Sequence, residues 1–359
     1  MNGVDSTQPV ATVNSREFYA EYHGHKVKHL EKILPALRST SDSIIWLAGD
    51  SSLDNKYWFH TCQDAVPGAY AQVLRPPVSK CDINYWLNYL ALQRSTNTEQ
   101  QNTAGNSPSR RRFAAMNTAV EATTLNQRVF HLTQQDGFIR DKITKEDILI
   151  VSIGGNDIAL LPSPCTIAAM MGLVLCTPPS CLEGGFTCCS IPQDDCCCGC
   201  GPSFLSCAGG CPPCLSYFRH MFGTRVESYI KKLTRKTKPE LILVCMIYYP
   251  DEAIVPSSWA NPALSALGYN NNPKKLQLII RKVFEEATSR IHVSGTVVIP
   301  VPLYHILDGK STADYVARVE PSPTGGRKLA EYLLDIIEDP HKHSRIFHSA
   351  PSSMSIVRN

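Results

Sequence analysis

The sequence predicts a doubly wound α/β domain, a five-stranded parallel sheet in a three-layer α/β/α arrangement that carries a cysteine-rich insertion. Three observations predict it. Five short apolar runs recur, near 44–48, 113–120, 147–152, 240–248 and 296–303. Stretches with helical spacing of apolar residues separate them, and such alternation argues for a mostly parallel sheet with helices on both faces. Runs such as SIIWLA (43–48) and ILIVS (148–152) are apolar on both faces, as strands covered on both sides must be. Right-handed crossovers then bring every strand's C-terminal end to one edge, where ligands bind in such sheets.

Taken in order, residues 1–15 read as a polar, flexible leader, and 16–339 as the α/β domain. The first helix is expected over 16–37, where Phe18, Tyr22, Val27, Leu30, Ile33 and Leu37 recur at helical steps. After the first strand come Gly49, Asp50 and Ser51. A second helix is expected over 83–93. Residues 95–112 (STNTEQQNTAGNSPSRRR) contain one apolar residue, Ala104, and read as a disordered surface loop. A helix is expected over 123–131, then the third strand and its turn, Gly154-Gly155-Asn156-Asp157. The insertion occupies 162–216. Helices over 217–233, 273–290 and 324–337 alternate with the last two strands, and 340–359 reads as a loose tail.

The chain has 359 residues, 43% hydrophobic and 19% charged, which supports a large core and excludes a wholly disordered protein. A net charge of +3 argues against nucleic acid as a partner, since phosphate recognition needs clustered Lys and Arg. No apolar run approaches the ~20 residues of a spanning helix. The first residues lack the basic start and apolar run of a secretory signal, so the expectation is a cytoplasmic protein.

The chemistry-bearing residues stand just after the strands. Ser51 follows a glycine that permits a strand-to-helix turn, at a place where free N–H groups favour a developing oxyanion. It also fits a plain helix cap. Asn156, after strand three, turns an amide toward the neighbouring strand end. Together a serine and an asparagine form complementary halves of an acyl-transfer site.

On these blocks, IIWLAGDSSLDNK and VSIGGNDIAL, with MNTAVEATTL between them, the sequence resembles the SGNH, or GDSL-like, hydrolases. The resemblance runs over about 43–338 outside the insertion and the loop. It implies a flavodoxin-like strand order, Ser51 as nucleophile, and an oxyanion hole made by the N–H of Ser51, the N–H of Glu121 and the Asn156 side chain. It implies ester substrates that are small molecules or lipids. Two positions depart from the family pattern. Glu121 stands where the second block carries glycine, placing a carboxyl beside the oxyanion site. In the last block Glu320 occupies the histidine's place and Ala317 the aspartate's. Three readings follow: Glu320 is the base with Asp314 as partner; His305, at the end of strand five, is the base; or the cleft binds its ligand without turnover.

Of fifteen cysteines, twelve lie between Cys165 and Cys214. A dense patch inside a large chain without an export signal does not suggest a disulfide scaffold first. Cys197-x-x-Cys200 and Cys211-x-x-Cys214 have spacing that closes a structural zinc site. S-acylation of the CCC run at 196–198 would instead tether the insertion to a membrane. Reduced thiols of no fixed role are the third reading. A metal-organised interaction module is the corresponding alternative to an enzyme. The apolar start of the insertion, 166–176, is expected to overhang the cleft, where it would line an acyl channel or touch a membrane surface.

Overall fold

The computed structural model describes residues 11–102, 111–183 and 215–341. Its centre is a five-stranded sheet of β1 (Ser43–Gly49), β2 (Phe113–Asn117), β3 (Ile148–Ser152), β4 (Leu241–Met246) and β5 (Val297–Pro302). The order is β2-β1-β3-β4-β5, parallel throughout. This is the doubly wound arrangement the sequence predicts, with the order reversing beside β1. Strand composition explains it: β1, β3 and β4 are buried at every position, so both faces must be covered.

The period of two along each strand sorts the core into two layers. Ile45, Leu47, Ile150 and Leu243 pack under α2 (Ile83–Asn102) and α6 (Pro323–Glu338). Ile44, Trp46, Val151 and Val244 pack under α1 (Val27–Thr40), α3 (Gln134–Lys142), α4 (Val226–Leu233) and α5 (Pro273–Glu286). Helices on both faces complete the three layers.

Four local expectations are corrected. The helix expected over 16–37 is two helices, Ser15–Ala20 and α1, because the chain turns through Gly24 at φ 77° and stacks the His25 ring on Phe18 at 3.7 Å. The end of the leader is ordered: Val13 is buried, and Val13–Asn14 pairs with Leu74–Arg75. Residues 95–102 are helical, not a disordered loop. Extending a helix already nucleated by an apolar face is far cheaper than starting one, and the polar residues up to Asn102 include no glycine or proline. Residues 103–110 lie outside the described residues. Finally, 123–131 forms only one turn of 3₁₀ helix, Asn126–Arg128. The helix starts later, at α3, where Thr133 and Asp136 form a reciprocal capping box.

No helix among the described residues is long and apolar enough to cross a membrane.

Asp147, just before β3, fastens three elements with one carboxylate. It accepts from Trp46 Nε1 at 2.9 Å, from the N–H of Ile44 at 3.0 Å and of Thr144 at 2.8 Å, and pairs with Arg38 of α1. Burial alone would raise its pKa, but these donors outweigh it and hold the carboxyl below its ordinary range. A depressed carboxylate contributes stability above its unfolded pKa, and that contribution is lost as pH falls through the folded value. Asp147→Asn should therefore cost about 3 kcal/mol near neutral pH, and less at pH 3. Urea unfolding of both proteins at the two pH values checks this.

Candidate active site

The site forms where β1 and β3 end side by side. Gly49 pairs with Ser152, and a Cβ on Gly49 would lie 1.7 Å from the Ser152 carbonyl oxygen, so only glycine fits. The next residue, Asp50, ties the two ends together. Its N–H donates to Ser152 O at 3.1 Å. Its Oδ1 accepts from Ser52 N at 3.0 Å and Ser52 Oγ at 2.8 Å, and its Oδ2 accepts from Gly154 N at 3.2 Å. Ser51 is thereby held at the rim of the cleft. Gly154, at φ 113°, starts the short helix Gly155–Ala159 that carries Asn156.

Ser51, Asn156 and Glu320 line one cleft of about 970 Å³, counted with its open mouth. Asn156 Nδ2 donates to Thr123 O at 3.0 Å, which uses one of its two amide hydrogens and fixes the plane of the group. Asp157 accepts from the N–H groups of Leu125 at 2.6 Å and Asn126 at 2.9 Å, so it anchors the loop after β2 and stays out of the cleft chemistry. Beyond this polar end the cleft is walled by apolar side chains. They come from the start of the insertion (Met170, Leu173, Val174), from Phe218 and Phe222, and from α5 (Leu276, Ile279, Ile280).

Glu320 sits on a small hairpin, Tyr315–Val316 against Glu320–Pro321. It is 2% exposed, and its Oε2 has no partner among the described residues. Burial, then the charges of Asp50 and Asp54, push its pKa up to about 8, while a hydrogen bond with the Ser51 side chain pulls it down. Ser51 and a buried carboxyl whose pKa is pushed toward neutrality thus share the polar end of one cleft.

Asp314 is elsewhere. Its Oδ2 pairs with Lys328 Nζ of α6 at 2.7 Å, its buried Oδ1 has no partner among the described residues, and it does not line the cleft. His305 is exposed and is not among the residues lining the cleft. The Glu121 N–H, expected as an oxyanion donor, points inward to Asp54 Oδ2 at 3.1 Å. Asp54 in turn forms a fully buried ion pair with Lys56 at 2.7 Å. The Glu121 side chain is buried too: Oε1 accepts from Trp58 Nε1 at 2.8 Å, and Oε2 has no partner among the described residues. Burial first, then Asp54 and Glu320, push its pKa up to about 9.

Residues that sequence reasoning missed are the supports. Asp50 and Arg128 carry the strand-end geometry, Arg128 through its bonds to Asp136 Oδ2 at 2.9 Å and Gly49 O at 3.0 Å. The Thr133-x-x-Asp136 box was the one signal that could have pointed to Asp136. Cys197, Cys200, Cys211 and Cys214 lie outside the described residues. Cys165 is disulfide-bonded, against the expectation that disulfides are not the first reading; Cys62, Cys81, Cys181 and Cys245 are free thiols.

No protein-family model and no curated protein matches the sequence. Among solved structures, the chain is similar to the lipase Lip_vut3 from a goat rumen metagenome, with 12% identity and a TM-score of 0.37, covering 82% of this chain and 96% of that one. It is similar to an extracellular lipase from Streptomyces rimosus, with 11% identity and a TM-score of 0.38, covering 82% and 98%. It is also similar to a variant of an acetyl xylan esterase from Geobacillus stearothermophilus, with 13% identity and a TM-score of 0.37, covering 83% and 95%. Likeness at this level says nothing about the chemistry of the site.

The two raised carboxyls make a pH prediction. A group whose folded pKa lies above its unfolded value contributes stability at low pH that is lost as pH rises through the folded value. Thermal stability should therefore fall from about pH 4.5, where both carboxyls ionise in the unfolded chain, to about pH 9, where Glu320 and then Glu121 have ionised in the folded one. Glu121→Gln removes one of these ionisations, so its midpoint should fall less over the same range. Thermal scans of both proteins across that range test it.

Proposed function

We propose that this chain is a serine-dependent ester hydrolase of the SGNH, or GDSL-like, kind, in which a glutamate does the work of the family's histidine. The observation that carries the reading is the convergence of Ser51, Asn156 and the buried Glu320 carboxyl on one cleft.

In this reading Glu320, ionised, accepts the Ser51 proton as Oγ attacks the ester carbonyl. The tetrahedral oxyanion is met by the Ser51 N–H and the free amide hydrogen of Asn156. Glu320 then returns the proton to the leaving alkoxide, leaving an acyl-serine. Water, deprotonated by Glu320 in the second half, hydrolyses it. The apolar wall supports an acyl chain as the group held during this step. The Glu121 N–H has no part in it because Asp54 takes it, and Asp314 has none because it does not line the cleft.

The pH dependence follows from the proton count. The base form of Glu320 is the ionised one, so with a pKa of about 8 only ~10% is active at pH 7. The kcat/KM for a nitrophenyl ester should climb about tenfold per pH unit below pH 8 and level off above it. Glu320→Gln should lose ~10²–10⁴ in rate. Ser51→Ala should abolish both the burst of nitrophenol and labelling by a fluorophosphonate. Undiminished turnover in Ser51→Ala would sink the hydrolase reading, and a wild type that binds acyl esters without turnover would leave a binding protein.

The wall predicts selectivity. Met170→Trp fills the chamber beside the insertion, and should lower kcat/KM for an octanoyl ester about tenfold relative to an acetyl ester. Paired initial rates with the two nitrophenyl esters read the ratio.

A further inference from the structure

A second cavity lies on the other side of the loop that follows β2. It is small, about 20 Å³, room for one water-sized particle, and its lining includes Arg128, Arg225, Lys232, Ser228 and Tyr229. Three cations and, among the described residues, no carboxylate line it.

Those cations are unequally satisfied. Arg128 is paired with Asp136 at 2.9 Å and gives its remaining nitrogens to the carbonyls of Thr124 and Gly49. Lys232 Nζ donates to the carbonyl of Arg128 at 3.3 Å and to that of Val129. Arg225 is the anomaly. It is 3% exposed, and only Nη2 is engaged, with Asn126 Oδ1 at 2.6 Å. Its Nε and Nη1 are buried and have no partner among the described residues. The nearby acid, Asp157, already accepts two backbone N–H groups with its two oxygens. A buried guanidinium with two idle donors calls for a negative charge. A water could take the hydrogen bonds but would add nothing to the partial compensation that Asp157 gives the charge.

We propose that this cavity binds one small inorganic monoanion of halide size, chloride foremost, on Arg225 Nε and Nη1 with the charge of Lys232 beside it. Two idle donors on one guanidinium and a cavity with room for one water-sized particle match a single-atom anion better than a tetrahedral oxyanion. The site does not depend on the hydrolase reading. It does adjoin that machinery: Asn126 belongs to the loop whose Thr123 carbonyl holds Asn156, and Arg128 reaches Gly49, two residues before Ser51.

The test replaces methanesulfonate by chloride at fixed ionic strength and follows the thermal midpoint of the full chain. The wild type should gain about 3 °C, saturating as the site fills. Arg225→Gln should show no saturable gain. Because that variant could fail to fold, crystals of the unmodified protein soaked in bromide supply a second measurement: an anomalous peak in contact with Arg225. A linear, unsaturating salt effect, an equal gain in Arg225→Gln, or the absence of a bromide peak at Arg225 overturns the proposal.

Discussion

One carboxylate holds the candidate site together. Parallel strands that end side by side diverge unless something joins them, because the ladder of hydrogen bonds stops and the sheet's twist carries the chains apart. Asp50 supplies that join, with one oxygen on the Ser52 turn and the other on the Gly154 N–H. Gly49 makes the approach feasible by having no side chain to strike Ser152. Burial raises the Asp50 pKa, opposed by the Ser52 bonds and by Arg128. Those opposing contacts are what keep a buried acid useful as an acceptor. Ser51 and Asn156 share a cleft as a consequence: each is one or two residues from an atom that Asp50 grips.

The same corner gathers more acid than base. Asp50, Asp54, Glu121 and Glu320 are all buried there, with Lys56 paired to Asp54. Four carboxylates cannot all ionise in so small a low-dielectric region, so protons are retained where neutralisation is least available. Glu121 and Glu320, without a salt-bridge partner among the described residues, are pushed up to about 9 and about 8, and Asp50 is raised as well. On the proposed mechanism, a Glu121 carboxyl raised to about 9 would stay largely protonated near the oxyanion, and the departure from glycine at position 121 is compatible with acyl transfer for that reason.

How much of this was legible in the sequence depends on the range of the interaction. The strands were, because burial on both faces writes an unbroken apolar run, and the Ser51 and Asn156 blocks were, because glycine beside a polar residue after a strand is a local signal. The loop after β2 was not. Its residues 123–128 carry helical composition, but Asp157 captures the N–H groups of Leu125 and Asn126, and Arg128 is drawn to Asp136. The Asp157 contacts join residues about thirty positions apart, and no pattern within a short window encodes them. Asp314 is drawn away from the cleft by a nearer contact, Lys328 on the helix that follows, which takes its Oδ2.

A glutamate in the place of a histidine raises a question of orientation. An imidazole has two nitrogens, so one can be held by a carboxylate while the other works. A carboxyl has no spare donor to be held by, and Asp314 is not available to Glu320. Orientation has to come from the backbone instead. The hairpin provides it. Ala317 and Arg318 both have positive φ, 50° and 71°, a conformation that costs a side-chain-bearing residue roughly 1–2 kcal/mol. Arg318 offsets that with bonds to the Asp251 carbonyl and to the side chains of Asn261 and Asn270. Tyr248 Oη holds the Val319 carbonyl at 2.6 Å, and Asn55 Nδ2 holds that of Pro321 at 2.7 Å, one residue on either side of Glu320. A strained turn fixed at so many points leaves the carboxyl little freedom, and in the proposed mechanism that backbone rigidity would take over the task an aspartate performs for a histidine.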